Sequence, residues 1–504
     1  MADSAAKIQQ LKALLQEAAD LGSVNSVLGW DQQTYMPVEG NAARSRQSAL
    51  IGRLQHERNT DPAIGHLLDE LTPYAESLPY DHDDASLIRA TRRAYEQNIK
   101  VPSQFMGGMY EHMGITYDLW TRARPANDFS MVRDALAKTL DLSRQLANYF
   151  PGYAHIADPL IDFSDTGMTT EKVRTIFGKL RAQLVPLVAA IAERPAIDDS
   201  FLRQHYPQAD QMRLGVSIIT DYGFDFGRGR QDLTHHPFMT RFSSGDVRIT
   251  TRFDEYDVRD GLFSTLHETG HALYELGIDP RYDGSPLGGG TSSGVHESQS
   301  RMWENIVGRS LPFWTHYYPQ IQSTFPKQLG NVPLDAFYRA INKVNPSLIR
   351  VDADEVTYNL HVMIRFNLEV ELLEGTLSID DLPEVWRARY TSDLGITPSD
   401  DKDGILQDVH WYGGIIGGQF QGYTLGNLIS AQIYEAALQA HPEITREVGA
   451  GKFSTLLNWL RQNVHQHGSK FLADELIERV TGSPLQVEPL MRYLNGKFGG
   501  IYGL

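Results

Sequence analysis

Leu266-His267-Glu268-Thr269-Gly270-His271-Ala272-Leu273 is the stretch on which the sequence turns. It contains His-Glu-x-x-His. On a helix, residues i and i+4 share a face, so His267 and His271 can present both imidazoles to one ion. Glu268 is offset around the helix and falls beside the metal as a general base. The flanks are helical: Leu262, Phe263, Leu266, Leu273 and Tyr274 form a 3.6-type apolar stripe, and Gly277 followed by Pro280 gives a stop. At this histidine content, chance would supply the pattern on the order of 0.03 times in a chain of this length.

A catalytic zinc has three protein ligands and an open position. The metzincin pattern would put a third His at position 277, which is Gly277, so that class is excluded. The next candidates lie beyond the Gly-rich connection Gly288-Gly289-Gly290, in Gly294-Val295-His296-Glu297-Ser298-Gln299-Ser300-Arg301-Met302-Trp303-Glu304. His296 and Glu297 compete there. Adjacent helical residues do not share a face, so only one of them joins the histidines. A His2Glu set suits a hydrolytic zinc.

Upstream, Phe238–Phe242, a Ser243-Ser244-Gly245 turn and Val247–Phe253 read as short strands. A small sheet beside the metal helix offers a strand to an extended peptide backbone. Asp246 is expected to orient a zinc-bound histidine, since such histidines need an oxygen acceptor on the second nitrogen. The alternative for Asp246 and Arg248 is an ion pair with each other.

His267-Glu268-Thr269-Gly270-His271 followed by His296-Glu297-Ser298-Gln299 resembles the carboxypeptidase Taq family of zinc metallocarboxypeptidases. Further motifs of that family recur in order: Trp30-Asp31-Gln32-Gln33-Thr34-Tyr35-Met36-Pro37, His236-Pro237-Phe238, Asp246-Val247-Arg248-Ile249-Thr250, Ile349-Arg350-Val351-Asp352-Ala353-Asp354 and Gly404-Ile405-Leu406-Gln407-Asp408-Val409-His410-Trp411. The resemblance covers nearly the whole chain. One departure stands out: the family usually shows Phe-Pro-Thr-Tyr before Leu-Gly-Asn, and here the run is Phe420-Gln421-Gly422-Tyr423-Thr424-Leu425-Gly426-Asn427.

The resemblance assigns Glu297 as the third ligand. It implies a mainly α, large helical metallopeptidase fold with a deep substrate groove and a small β-sheet beside the zinc helix. It also implies a homodimer that removes single C-terminal residues from peptides with broad preference, poorly at proline. The cofactor expected is one zinc per subunit, with another divalent metal such as cobalt able to substitute. Glu268 would move the proton. His410 and Tyr423 are candidate donors to the oxyanion, and His236 would border the substrate. Arg350, in the matched motif, is the choice for the substrate's free α-carboxylate, because a guanidinium can donate two parallel hydrogen bonds to it. Arg248 and Arg365 are next in line. An oligopeptidase or dipeptidyl-peptidase of the same metal class is the alternative function.

Composition sets outer bounds. The 504 residues are 41% hydrophobic and 22% charged, as in an ordinary globular protein. The formal charge of −17 argues against a nucleic-acid or anionic-membrane partner. The chain has no cysteine, which is compatible with a reducing cytosol, and its start shows no signal-peptide pattern, so a cytoplasmic location is expected. The apolar run Leu184–Ala192, interrupted by Pro186, is too short to span a bilayer.

The chain is expected to be a single metallocarboxypeptidase domain, residues 1–504, with a helical scaffold to about 229 and a catalytic half from about 230. A first amphipathic helix, marked by Ile8, Leu11, Leu14, Leu15 and Ala18, is expected to end before Gly22. Helices follow around Ala42–Arg58, Pro62–Leu71, Ala85–Ile99, Met131–Tyr149 and Lys172–Ala192, the last with Thr169 as N-cap. Glu355 to Glu374 reads as a long helix ended by Gly375. Asp354, Tyr358, His361 and Arg365 give it a polar stripe, read either as a solvated face or as a groove wall.

Overall fold

A computed structural model describes residues 2–504. Six successive helices open the chain: Ala2–Thr34, Asn41–Asn59, Pro62–Glu76, Asp83–Lys100, Ser103–Ala126 and Ser130–Asn148. The sequence marks several of their starts. The Asp61 side chain accepts from Ala63 N ahead of Pro62, and the Thr169 hydroxyl accepts from Lys172 N at the head of Thr170–Ala192. One expectation fails here, and one helix carries no clear sequence signal. The first helix runs through Gly22 to Thr34, and its glycine is a crossing point: a Cβ on Gly22 would meet the Gln55 amide of the next helix at 2.6 Å. Helix Ser103–Ala126 escaped notice because Gly107, Gly108 and Gly114 dilute its pattern, yet Met109, His112, Thr116 and Ala123 form its buried face.

The run Leu184–Ala192 lies in a 23-residue helix, long and apolar enough by length and composition to cross a membrane. That helix packs within the protein. Val173, Phe177, Leu180, Leu184, Val188 and Ile191 are buried, and Phe177 meets Phe366 edge-on at 5.2 Å.

The sheet has three strands: β1, Gly229–Leu233; β2, Met239–Ser243; and β3, Asp246–Thr251. Their order is β1-β3-β2, with β1 parallel to β3 and β2 antiparallel to it. The hairpin follows the sequence reading, whereas β1 did not announce itself, because Gly229-Arg230-Gln231-Asp232-Leu233 lacks apolar alternation. Val247 and Ile249 are fully buried. The Gln231 amide bridges the Thr251 and Thr265 hydroxyls at 3.1 and 3.0 Å, tying the sheet to the next helix. The first helix also packs on the sheet: the Arg248 guanidinium lies 4.4 Å from the Trp30 ring centroid.

Helix Val258–Gly277, capped by Asp257, carries the His-Glu-x-x-His motif. Helix Ser293–Arg301, capped by Ser292, carries Glu297 and continues into a π-helical turn over Met302–Val307. Helix Tyr358–Glu374 is buried almost throughout, and Gly375 ends it at φ 80°. Its polar stripe is neither solvated nor exposed: His361 and Arg365 are fully buried. One hydrophobic core cluster runs from Ile8 to Ile501 and joins the N-terminal helices to the rest.

Candidate metal centre

The helix bearing Glu297 is held between two others at backbone distance. A Cβ on Gly270, inside the His-Glu-x-x-His motif, would stand 2.6 Å from the Gln299 carbonyl oxygen and from Ser300 Cα. On the opposite side, a Cβ on Gly426 would stand 2.6 Å from Glu297 Cγ. Any larger residue at either place would displace Glu297 from its position beside the histidines.

This packing brings three ligand atoms together. His267 Nε2 lies 3.6 Å and His271 Nε2 3.4 Å from Glu297 Oε2. A ligand atom from each of the three residues lies within 4.8 Å of the others. The second ring nitrogens are occupied elsewhere: His267 Nδ1 is 2.9 Å from Glu304 Oε2, and His271 Nδ1 is 3.0 Å from the His296 carbonyl oxygen. Oxygen acceptors at Nδ1 favour the tautomer that leaves the Nε2 lone pair facing Glu297.

The charge states suit a cation. Burial works to raise the Glu297 carboxyl, yet Arg301 and His267 hold it well below the usual carboxylate range. Arg301 Nε lies 2.7 Å from Glu297 Oε1, so Oε2 is the oxygen left facing the histidines. Burial, aided by His296, lowers His271 to about 3 and keeps it neutral. Burial also works to lower His267, but Glu297 and Glu304 outweigh it and leave its pKa raised. Two imidazoles and a carboxylate converging in this way fit a divalent ion with an open position. Glu268 is buried, and burial pushes its carboxyl up to about 7 although His267 pulls it down.

His296, the competing candidate, sits behind His271: the two rings lie 4.5 Å apart, and His296 Nε2 binds Glu275 at 3.0 Å. The expectation for Asp246 is not met. Asp246 receives both Arg248 Nε and Nη2, at 2.8 and 2.7 Å, and the oxygen acceptor on His267 comes from Glu304. On a strand, residues i and i+2 share a face, so the local pair wins. Arg248, further occupied by Trp30 and Phe242, is not poised to take a carboxylate. His236 is exposed in the loop after β1, its Nδ1 3.0 Å from the Pro237 carbonyl oxygen.

A second polar cluster centres on Asp408. It accepts from Arg350 Nε at 2.6 Å, Arg365 Nε at 2.9 Å and His410 Nδ1 at 2.5 Å. His410 Nε2 then lies 3.3 Å from the Tyr423 hydroxyl. Arg350 also donates to the Tyr358 hydroxyl at 3.2 Å, and the Arg301 guanidinium covers the Tyr358 ring at 4.5 Å. The structure thus links Arg350, His410 and Tyr423 to one another and, through Tyr358 and Arg301, to Glu297. Glu304, Arg301 and Asp408 were missed by the sequence reading. The first two were legible, because Glu297, Arg301 and Glu304 fall at i, i+4 and i+7 on one helical face.

A helical scaffold holding a His-Glu-x-x-His pair, a carboxylate from the next helix and a buried glutamate beside them defines a metallopeptidase. The family model described as Carboxypeptidase Taq (M32) metallopeptidase matches residues 10–498. The chain belongs to this family, and it is a metallocarboxypeptidase that uses a divalent metal. It is 40% identical to Thermostable carboxypeptidase 1 of Thermus thermophilus, over 99% of both chains. It is 35% identical to Carboxypeptidase 1 of Bacillus subtilis, over 97% of both. Among solved structures, an M32 carboxypeptidase from Deinococcus radiodurans superposes with a TM-score of 0.96 at 49% identity, covering 99% of this chain and 100% of that one.

Proposed function

We propose that the chain is a zinc carboxypeptidase that releases single C-terminal residues of broad type, slowly at proline, and works as a cytoplasmic homodimer. The convergence of His267, His271 and Glu297 beside the buried Glu268 is the observation that carries this reading. When bound, zinc supplies a Lewis acid that polarises the scissile carbonyl and lowers the pKa of water toward ~7. Glu268 takes the proton of the attacking water and hands it to the leaving amine. Tyr423, whose hydroxyl borders His410, donates to the developing oxyanion. His236 borders the substrate from its exposed loop.

Arg350 holds the substrate's α-carboxylate. Two guanidiniums, Arg350 and Arg365, share the single carboxylate of Asp408, so the cluster carries an excess positive charge. Burial raises the nearby Glu369 to about 8, which keeps it neutral at pH 7 and leaves that charge uncompensated. An excess cation in a desolvated place is a receptor for an anion.

Time-resolved analysis of products from one defined peptide, as free acid and as C-terminal amide, tests the function. Successive loss of single C-terminal residues from the acid, with little action on the amide, is expected. Internal fragments would establish an oligopeptidase instead. Light scattering at micromolar protein checks the dimer, and a monomer rejects it.

A further inference from the structure

We propose that Asp165 and Gln421 form a clamp that positions Glu297 against Tyr423 and thereby sets the metal affinity of the centre. The proposal rests on the ligand set given above. Asp165 lies in the turn before helix Thr170–Ala192, outside the catalytic half, and is 1% exposed. Its Oδ1 accepts from Gly294 N at 2.8 Å, and the neighbouring Ser164 carbonyl accepts from Ser293 N at 2.8 Å. With Ser292 Oγ taking Val295 N at 3.1 Å, the first three N–H groups of the Glu297 helix are all satisfied.

The other oxygen of Asp165 grips a different helix. Oδ2 accepts from Gln421 Nε2 at 3.0 Å, and the same amide donates to Ser164 Oγ at 2.8 Å and to the Gly418 carbonyl at 3.1 Å. Gln421 is fully buried and opens helix Gln421–Ala440, two residues before Tyr423 and five before Gly426, which touches Glu297. One carboxylate therefore fixes the starts of both helices, each within about one turn of the residue it must place. Close packing enforces the register: a Cβ on Gly422 would stand 2.9 Å from Ser293 Cβ. Gln421 and Gly422 are also the two positions where the sequence leaves the family pattern. The bonds from Gly294 N and from the Gln421 amide to Asp165 and to the Gly418 carbonyl are buried, so a group that loses its partner there is left unpaired.

The experiment measures zinc affinity of the full-length apo-protein by chelator competition, together with unfolding temperature before and after zinc is added. Gln421→Leu removes the amide at similar volume. Gln432→Leu is the control: Gln432 lies on the same helix, and its amide bonds Thr481, Ser483 and Pro484 at a distance from Glu297. Both variants are expected to unfold at lower temperature. Zinc Kd is expected to weaken about tenfold in Gln421→Leu only, with a smaller zinc-induced rise in unfolding temperature. If Gln421→Leu fails to fold, Asp165→Asn serves, because it keeps an acceptor for Gly294 and turns an amide against that of Gln421. A zinc Kd within twofold of wild type in the clamp variant, or an equal loss in Gln432→Leu, overturns the proposal. Failure of the wild-type protein to bind zinc overturns the ligand assignment itself.

Discussion

Glu304→Gln probes the support behind the metal ligands without touching a ligand. Glu304 Oε2 faces His267 Nδ1 at 2.9 Å and Arg301 Nη1 at 3.2 Å, while Oε1 takes Arg309 Nη2 at 3.2 Å. Burial works against ionisation, yet Arg301, His267 and Arg309 hold its pKa at about 2, so it is a carboxylate at every working pH. The amide keeps an oxygen for His267 but gives up the charge. A hydrogen bond to a charged group contributes ~1.5–3 kcal/mol, and a neutral one ~0.5–1.5. The expected loss is therefore ~1–2 kcal/mol of metal binding, or roughly 5- to 30-fold in Kd, inside the range for residues that orient ligands. Chelator competition on apo-protein measures it, and activity at saturating metal should recover most of its wild-type value. An unchanged Kd in a variant that is nevertheless less stable would refute the reasoning, because Glu304 would then serve only to neutralise Arg301 and Arg309.

Glu268→Gln should keep full metal content and lose most turnover, since it removes the proton carrier alone; a variant as active as wild type contradicts that role. Arg350→Ala should cost ~2–5 kcal/mol of transition-state binding, roughly 30-fold to several thousand-fold in kcat/KM, on free-acid peptides. An equal factor on amidated peptides would make Arg350 structural, which its bond to Asp408 at 2.6 Å makes a real alternative. Glu369 is raised by burial from 4.5 to about 8, so the folded state holds an extra proton between those values and stability falls as pH rises through them. Glu369→Gln should remove that slope, an effect on the order of a few kcal/mol; unfolding temperatures from pH 5 to 9 that stay parallel to wild type would contradict it.

What the sequence reveals follows the range of the interactions. The His-Glu-x-x-His pair is readable because a helix fixes its geometry within five residues. The second helix narrowed the third ligand to His296 or Glu297, and only the family resemblance chose Glu297. Gly270 has a visible reason only in three dimensions, where it admits the backbone of Ser300. Asp246 was misplaced because a bond to Arg248 two residues away is cheaper to form than one to a distant imidazole. Arg350 has two carboxylates close by in its own motif, Asp352 and Asp354, yet its partner is Asp408. Asp354 instead accepts the Val356 and Thr357 N–H groups at the start of the next helix. Pairings across fifty residues leave no periodic trace, so the Asp408 cluster and the Asp165 clamp emerge only from the fold.

The most direct test of the account is the divalent metal bound per chain in wild type, Glu297→Ala and His296→Ala. The geometry predicts one ion in wild type and, at saturating metal, in His296→Ala, and far less than one in Glu297→Ala. Full occupancy in Glu297→Ala, with loss in His296→Ala, would contradict the metal centre described here.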